Sequence, residues 1–206
     1  MATSGWRDVW DRFKGRGTYP HQLAFILLNP LRNLIFSPRE LAARLHLSAE
    51  AQVLELGPGP GFFSAAIARC IPRGHLCLVD LQREMLEKAR ARIRRAGATN
   101  ISFAQASATA LPFAREVFDA AFLVAVLGEV PDAAACIAEL RDAIRPGGLL
   151  SITELGGDPD AMTEGEIGAL AKAANFEPAE RFPMRFGFTL NFTRGDGSAG
   201  RWHGGR

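Results

Sequence analysis

An acidic residue and three glycines at alternate positions form the segment of this 206-residue chain whose residue types and spacing best support ligand chemistry. Glu55 is followed by Gly57, Gly59 and Gly61, with Pro58 between the first two glycines. Glycine gives the backbone conformations that are closed to other residues, and it lets a ligand approach without meeting a Cβ atom. A helix that begins after the glycines directs its free N–H groups toward the same point. These features are typical of a nucleotide-binding loop.

The elements around this loop have the pattern of an α/β unit. Residues 52–56 form a short apolar run, as expected of a buried strand, and residues 65–69 have a helical pattern. A dinucleotide-binding loop has the spacing Gly-x-Gly-x-x-Gly, but counting from Gly57 places Phe62 at the third glycine. Glu55 would hinder the binding of phosphates, whereas it suits a cationic ligand. A glycine-rich turn in another kind of α/β protein is the alternative for this segment alone.

The spacing Glu-x-Gly-x-Gly-x-Gly resembles the first motif of class I S-adenosylmethionine-dependent methyltransferases. In that family the loop holds the amino-acid end of the cofactor, which carries an ammonium group and a sulfonium ion. The resemblance therefore implies S-adenosylmethionine as the cofactor of this chain. It assigns the following loop residues to the cofactor site: Glu55, Gly57, Pro58, Gly59 and Gly61.

A second acid ends the next predicted strand. Residues 75–80 are mostly apolar and end at Asp80, which lies 19 residues after Gly61, the distance that a strand-helix-strand unit needs. In dinucleotide and S-adenosylmethionine folds, an acid at this position accepts hydrogen bonds from the ribose hydroxyls. We assign Asp80 to the cofactor site, together with Leu81 and Met85 of the helix that follows. A helix cap is the alternative role for Asp80.

Three later segments resemble further motifs of the family. Residues 105–113 resemble the segment that contacts adenine, although Ser107 stands where the family commonly has an aspartate, and serine is a weaker, neutral acceptor. Residues 117–124 resemble the strand that contains Phe-Asp, and residues 145–148 resemble the Pro-Gly-Gly turn before a fifth strand, Leu149 to Glu154. The resemblance assigns three more residues to the cofactor site: Ser107, Ala108 and Val124.

Methyl transfer from a sulfonium ion is an in-line displacement, in which a substrate N, O, C or S atom attacks the methyl carbon. Proximity, alignment and exclusion of water are the main requirements, and a base is needed only if the nucleophile must lose a proton. Two acids lie at the ends of neighbouring predicted strands, and each has an alternative role as a helix cap or an arginine partner. The candidates for proton transfer or substrate positioning are Glu129, Glu154, Tyr19 and His21.

The resemblance covers about residues 51–193 and implies an α/β, Rossmann-like architecture. Its sheet is seven-stranded and mostly parallel, with helices on both faces and an antiparallel last strand, and the ligand binds at the carboxyl ends of the strands. We expect residues 1–50 to form an N-terminal helical leader that acts as a lid, and residues 51–194 to form the S-adenosylmethionine-binding domain. The glycine-rich tail, residues 195–206, is expected to be disordered.

The leader gives the best indication of the acceptor. Trp6 and Trp10 recur at helical spacing, and residues 23–36 are unusually apolar. Packing against the domain is one explanation, because apolar stripes at helical period usually face a core. The other is that the leader covers the substrate, which predicts a small hydrophobic acceptor such as a quinone precursor or a lipid head group, either free or presented at a membrane surface.

Composition excludes several classes of partner and compartment. A net charge of +2 without a long basic block gives no indication of nucleic acid. The cysteines, Cys70, Cys77 and Cys136, lack metal-ligand spacing, so we predict no metal site and reduced thiols. No secretory signal is evident, and the apolar runs are too short to span a bilayer. We therefore expect a cytoplasmic protein, and the sequence leaves its oligomeric state unknown.

Two other functions stay open. An NAD(P)-dependent oxidoreductase shares the strand, glycine loop and acid, although Phe62 in place of the third glycine argues against it. A non-catalytic binding protein could keep the fold and the cofactor, and the one feature that favours this alternative is Ser107 in place of the usual acid.

Overall fold

The structure is a computed structural model that describes residues 36–156 and 158–196. The leader helices predicted before residue 36 lie outside this part of the chain, as do Tyr19, His21 and most of the tail. Within the described ranges, none of the helices has both the length and the apolar character needed to cross a bilayer.

Strands and helices alternate through most of the described chain. The strands are β1 (Gln52–Leu56), β2 (His75–Asp80), β3 (Ile101–Gln105), β4 (Phe118–Val124), β5 (Ile144–Leu155), β6 (Phe176–Met184) and β7 (Gly187–Arg194). The helices are α1 (Pro38–Leu45), α2 (Ser64–Cys70), α3 (Arg83–Arg95), α4 (Ala133–Ala143) and α5 (Glu164–Ala173), and a 3₁₀ turn spans Leu127–Glu129.

The strands form one seven-stranded sheet in the order β3-β2-β1-β4-β5-β7-β6. The first five strands pair in parallel, whereas β7 runs antiparallel to both β5 and β6. The predicted mostly parallel sheet with an antiparallel last strand is therefore confirmed. The order reverses between β1 and β4, and in open α/β sheets ligands bind beside such a reversal, at the carboxyl ends of the strands.

Helices cover both faces of this sheet, as predicted. Val53 and Leu54 of the central strand β1 are fully buried, and because neighbouring strand residues point to opposite faces they belong to different core clusters. The cluster on the Val53 face includes residues of α1, α2 and α3, and the cluster on the Leu54 face includes residues of α4 and α5. Each face of the central strands thus has its own apolar layer.

Helix α1 begins with a capping box and is part of this core. The Ser37 hydroxyl accepts a hydrogen bond from the Glu40 N–H at 3.2 Å, and the Glu40 carboxylate accepts one from the Ser37 N–H at 2.8 Å, which completes a capping box. Leu41 and Leu45 are buried in the same cluster as Val53. The last helix before β1 is therefore packed on the sheet.

The Pro-Gly-Gly segment differs from its prediction. Residues 145–148 were expected to form a turn before a strand beginning at Leu149, but β5 already begins at Ile144. Ile144 pairs with Phe118 and Leu149 pairs with Ala120, so the intervening residues form a bulge within the strand. Gly147 has φ +74°, a left-handed conformation that favours glycine, and this lets the chain leave and rejoin the ladder.

Two substitutions in α5 should change stability in opposite directions. Thr163 caps this helix and its hydroxyl accepts the Glu166 N–H at 3.3 Å, so Thr163→Ala should lower the free energy of unfolding by about 1 kcal/mol. Gly168 lies within the helix with open space where a methyl group would point, so Gly168→Ala should raise it by about 0.5–1 kcal/mol. Urea unfolding measures both, and a Gly168→Ala variant less stable than the wild type would contradict this packing of α5.

Candidate active site

The glycine loop joins β1 to α2 and has the backbone conformation that its glycines allow. Gly57, Gly59 and Gly61 have φ values of +65°, +51° and +75°, a region that residues with a Cβ atom rarely occupy. The Gly57 N–H donates to the Val79 carbonyl at 2.8 Å, and the Gly61 N–H donates to the Pro58 carbonyl at 3.0 Å. The loop is thereby fixed at the carboxyl ends of β1 and β2.

Neighbouring residues approach two of these glycines closely. A Cβ atom on Gly57 would lie 2.5 Å from Val126 Cγ2, just after β4, and one on Gly61 would lie 3.0 Å from the Ala89 Cα of α3. Side chains at these positions would push the loop away from β4 and from α3. Val126 and Ala89 were not predicted as site residues. They contact the glycine loop from distant parts of the chain, and no local sequence pattern indicates such contacts.

Asp80 links the glycine loop to the start of α3. One carboxylate oxygen accepts the Gly59 N–H at 3.3 Å, and the other accepts the Gln82 N–H at 2.9 Å. Burial raises the pKa of this carboxyl above its usual range, and hydrogen bonds from the Gln82, Gly59 and Leu81 backbone partly offset the rise. The sequence left two roles open for Asp80, ribose binding and helix capping. The contact with Gln82 shows that the Asp80 carboxylate does accept a backbone hydrogen bond at the start of α3.

Glu55 is a buried acid beneath the loop. Its side chain is 2% exposed, and burial raises the pKa of its carboxyl to about 8; the Ser64 hydroxyl opposes the rise and the charge of Asp80 adds to it. Neither Glu55 Oε2 nor Ser64 Oγ has a partner with good hydrogen-bond geometry in the described part of the chain. A buried carboxyl group without a partner favours a ligand that brings a cation or a donor to this point.

The other predicted cofactor residues surround Asp80 and the end of β4. Leu81 is 54% exposed, whereas Met85 is buried and Val124 is 9% exposed. The Ser107 hydroxyl accepts the Thr109 N–H at 3.2 Å and lies 2.9 Å from the Thr109 hydroxyl, so it stabilises its own turn. The Ala106 N–H donates to the Asp80 carbonyl at 3.2 Å, which places the segment containing Ser107 and Ala108 next to Asp80.

Two of the predicted catalytic acids lie close together on the other side of the site. Glu154, at the end of β5, is 2% exposed, and burial raises the pKa of its carboxyl to about 8, with further contributions from the charges of Asp158 and Glu129. The Met162 backbone partly offsets this rise, and Glu154 Oε1 has no hydrogen-bond partner among the described residues. Among the described residues, no cluster of three or more His, Cys, Asp or Glu side chains could hold a metal ion.

The segment after β5 packs near these acids. A Cβ atom on Gly128 would lie 1.7 Å from the Asp160 carbonyl oxygen, so the 3₁₀ turn that carries Glu129 contacts this segment through bare backbone. Asp158, in the same segment, was missed as a site residue because its position depends on this contact. Tyr19 and His21 lie outside the described residues, so their placement stays a prediction.

Comparison with known proteins agrees with this geometry. Residues 53–148 match a family model described as a methyltransferase domain. A SAM-dependent methyltransferase from Aquifex aeolicus has the same fold, with a TM-score of 0.81 and 18% identity over 86% of this chain and 100% of that chain. The N-methyltransferase NodS from Bradyrhizobium japonicum has a TM-score of 0.67 and 22% identity over 82% and 98% of the two chains. Residues 53–148 thus match a methyltransferase domain, and the fold belongs to the class found in S-adenosylmethionine-dependent methyltransferases.

Within that class, the sequence is similar to a C-methyltransferase of quinone biosynthesis. The chain is 35% identical over 105 residues to the ubiquinone/menaquinone biosynthesis C-methyltransferase UbiE of Haemophilus ducreyi. The match covers 50% of this chain and 40% of that protein, so the chain spans less than half of the length of this relative.

The family and the fold imply S-adenosylmethionine as the cofactor, and the residues present fit it. The buried Glu55 carboxyl, whose Oε2 has no partner among the described residues, suits a cationic group, and the loop glycines leave room for close approach of a ligand. Asp80 presents a carboxylate where ribose hydroxyls would bind, and the exposed Leu81 side chain beside it offers an apolar surface for a base.

Gly57→Ala should abolish most cofactor binding because its new methyl group would overlap Val126. Gly97→Ala is the matched control, since Gly97 has a similar φ of +70° but nothing within 4 Å of a Cβ atom. Both variants should lose about 1–2 kcal/mol of stability from the left-handed conformation. Calorimetric titration with S-adenosylhomocysteine should show binding to Gly97→Ala and at least about tenfold weaker binding to Gly57→Ala. Equal affinities would mean that the contact with Val126 does not position the loop.

Glu55→Gln and Glu154→Gln should each make stability less dependent on pH. Burial raises the folded pKa of both carboxyls from 4.5 to about 8. Between these two pH values, each carboxyl stays protonated in the folded protein but loses its proton in the unfolded chain. The free energy of unfolding therefore falls as the pH rises from about 4.5 to about 8. Each substitution removes one such proton and should flatten the decline measured by urea unfolding across this range. A slope unchanged in both variants would show that these carboxyls ionise normally in the folded state.

Proposed function

We propose that this protein transfers the methyl group of S-adenosylmethionine to a small, hydrophobic, quinone-like acceptor. The observation that carries the proposal is the buried carboxyl of Glu55 beneath the glycine loop, whose Oε2 has no hydrogen-bond partner among the described residues. A cationic cofactor end would stabilise the ionised form of this carboxyl, whereas the phosphates of a dinucleotide would oppose its ionisation. The similarity to UbiE supports a quinone-like acceptor, although it covers only half of this chain.

When bound, the cofactor supplies an electrophilic methyl group on its sulfonium ion. Glu55 and the N–H groups of the glycine loop would hold the amino-acid end, and Asp80 would bind the ribose hydroxyls with the oxygens that now accept the Gly59 and Gln82 N–H groups. Leu81 and Met85 would contact the base, as would the turn containing Ser107 and Ala108. These contacts fix the orientation of the methyl group, which is the main requirement of an in-line displacement.

Glu154 is the residue we propose as proton acceptor when the nucleophile must lose a proton. Its folded pKa of about 8 is close to the working pH, the condition under which a carboxyl both takes up and releases a proton effectively. The charges of Glu129 and Asp158 contribute to that value, so we propose that Glu129 is a positioning residue for Glu154. Tyr19 and His21 remain proposed acceptor contacts.

Titration with S-adenosylmethionine and S-adenosylhomocysteine, with NAD as the control ligand, tests the proposal. The wild type should bind the first two and not NAD. Asp80→Asn should weaken binding about tenfold to a hundredfold, because it removes charge from the acceptor of the ribose hydrogen bonds. Glu154→Gln is the matched control: it should bind S-adenosylhomocysteine like the wild type but lose turnover of an acceptor that must be deprotonated.

Three results would contradict the proposal. Binding of NAD in preference to S-adenosylhomocysteine would indicate an oxidoreductase. Binding of the cofactor without turnover of any quinol or phenol acceptor would favour the non-catalytic alternative. Equal affinity of the wild type and Asp80→Asn for S-adenosylhomocysteine would place the ribose elsewhere.

A further inference from the structure

Arg44, in the last turn of α1, is held between two aromatic rings on the face of the sheet that α1 covers. Its guanidinium carbon lies 4.7 Å from the centroid of Phe36 and 5.2 Å from the centroid of Phe182. One guanidinium nitrogen donates to the Thr189 hydroxyl at 2.7 Å, and that hydroxyl lies 2.8 Å from the hydroxyl of Thr153. The side chain therefore reaches from α1 down to β7 and β5.

This guanidinium makes no ion pair with any residue in the described ranges, although acids lie near it. The charge of Glu40 raises the pKa of Arg44, but the Glu40 carboxylate accepts its hydrogen bond from the Ser37 N–H at the start of the helix. The Glu180 carboxylate contacts His46 at 3.0 Å and accepts from Asn191 at 3.2 Å. Burial has the larger effect and lowers the pKa of Arg44, so this is a partly desolvated cation with only one hydrogen bond to the described residues. Such a cation favours an anionic ligand.

Arg44 lies near the carboxyl end of β5, on the face of the sheet opposite to the one that the Glu154 side chain faces. The Ala125 N–H, just after β4, donates to the carbonyl of Thr153 at 2.8 Å, and Thr153 directly precedes Glu154. The Phe36 ring lies 5.6 Å from the ring of Phe63, the residue immediately before α2. The guanidinium is thus linked through Phe36 to the start of α2 and through Thr189 to β5.

A buried polar group on the same face of β5 lacks a partner. Ser151 lies two residues before Thr153, so both side chains point toward α1, and Ser151 is fully buried. Its hydroxyl has no hydrogen-bond partner within the described part of the chain. Polar groups in proteins are rarely buried in this state, and among the described residues this hydroxyl is a second incompletely bonded polar group on the face of the sheet that Arg44 contacts.

We propose that Arg44 binds a carboxylate on the acceptor, so that the substrate is an apolar or aromatic molecule with one carboxylate group. The rings of Phe36 and Phe182 lie against the guanidinium, and its N–H groups other than the one that bonds Thr189 match the two oxygens of a carboxylate. The partly exposed ring of Phe182 offers apolar surface to the body of the molecule. This assignment rests on the proposed function, because it names the class of acceptor for that site.

Calorimetric titration of the full chain with 3-phenylpropanoate and its neutral isostere 3-phenylpropanamide tests this assignment. Each titration is made with and without saturating S-adenosylhomocysteine. The wild type should bind the carboxylate at least about tenfold more tightly than the amide. Arg44→Met, which keeps an apolar side chain between the two rings, should lose this preference, and Arg44→Lys should recover part of it. Arg39→Met is the matched control, because Arg39 is an exposed residue of the same helix, and it should keep the preference.

Thermal unfolding of each variant separates a binding role from a structural one. If Arg44→Met is destabilised but prefers the carboxylate as strongly as the wild type, Arg44 only holds α1 on the sheet and the assignment is wrong. Equal affinity of the wild type for the acid and the amide, or binding of neither, also overturns it. A preference for the carboxylate that depends on Arg44 in a protein that fails to bind S-adenosylhomocysteine would support the anion site and contradict the methyltransferase proposal.

Discussion

The contact between the Asp80 carboxylate and the glycine loop is the interaction on which the site depends. Asp80 ends β2, the loop follows β1, and these parallel strands are neighbours, so their carboxyl ends necessarily meet. The carboxylate bonds the Gly59 N–H in the loop and the Gln82 N–H beside α3, and thereby joins the loop to α3. The same two oxygens are the ones that we propose as acceptors for the ribose hydroxyls, so one residue would both shape the site and bind its ligand.

The glycine loop also connects the cofactor side to the acceptor side. Gly57 allows contact with Val126, and the segment containing Val126 leads directly into the 3₁₀ turn that ends at Glu129. That turn in turn contacts the segment after β5 through Gly128 and Asp160. Neither contact leaves room for a Cβ atom on its glycine. A side chain at Gly57 would displace Val126, and one at Gly128 would displace the Asp160 backbone. The proposed general base and the cofactor loop are therefore positioned by one continuous set of contacts.

The sequence predicts the features that local patterns determine. The strand, the glycine loop and Asp80 lie within one strand-helix-strand unit, and the capping box at Ser37 involves residues three apart, so each could be predicted from nearby residues. Arg44 could not, because its hydrogen bond to Thr189 joins residues 145 positions apart. The bulge at residues 145–148 was missed for a related reason: a turn composition is visible, but the pairing of Ile144 with Phe118 is not.

The two buried glutamates show how one fold gives the same side chain different tasks. Glu55 points to the face that α2 and α3 cover, whereas Glu154 points to the face that α4 and α5 cover. Burial raises the pKa of each to about 8, but their neighbours differ. A cationic cofactor beside Glu55 would favour its ionised form and release a proton on binding. Glu154 faces the charges of Glu129 and Asp158, which favour its protonated form and keep it able to exchange a proton near neutral pH.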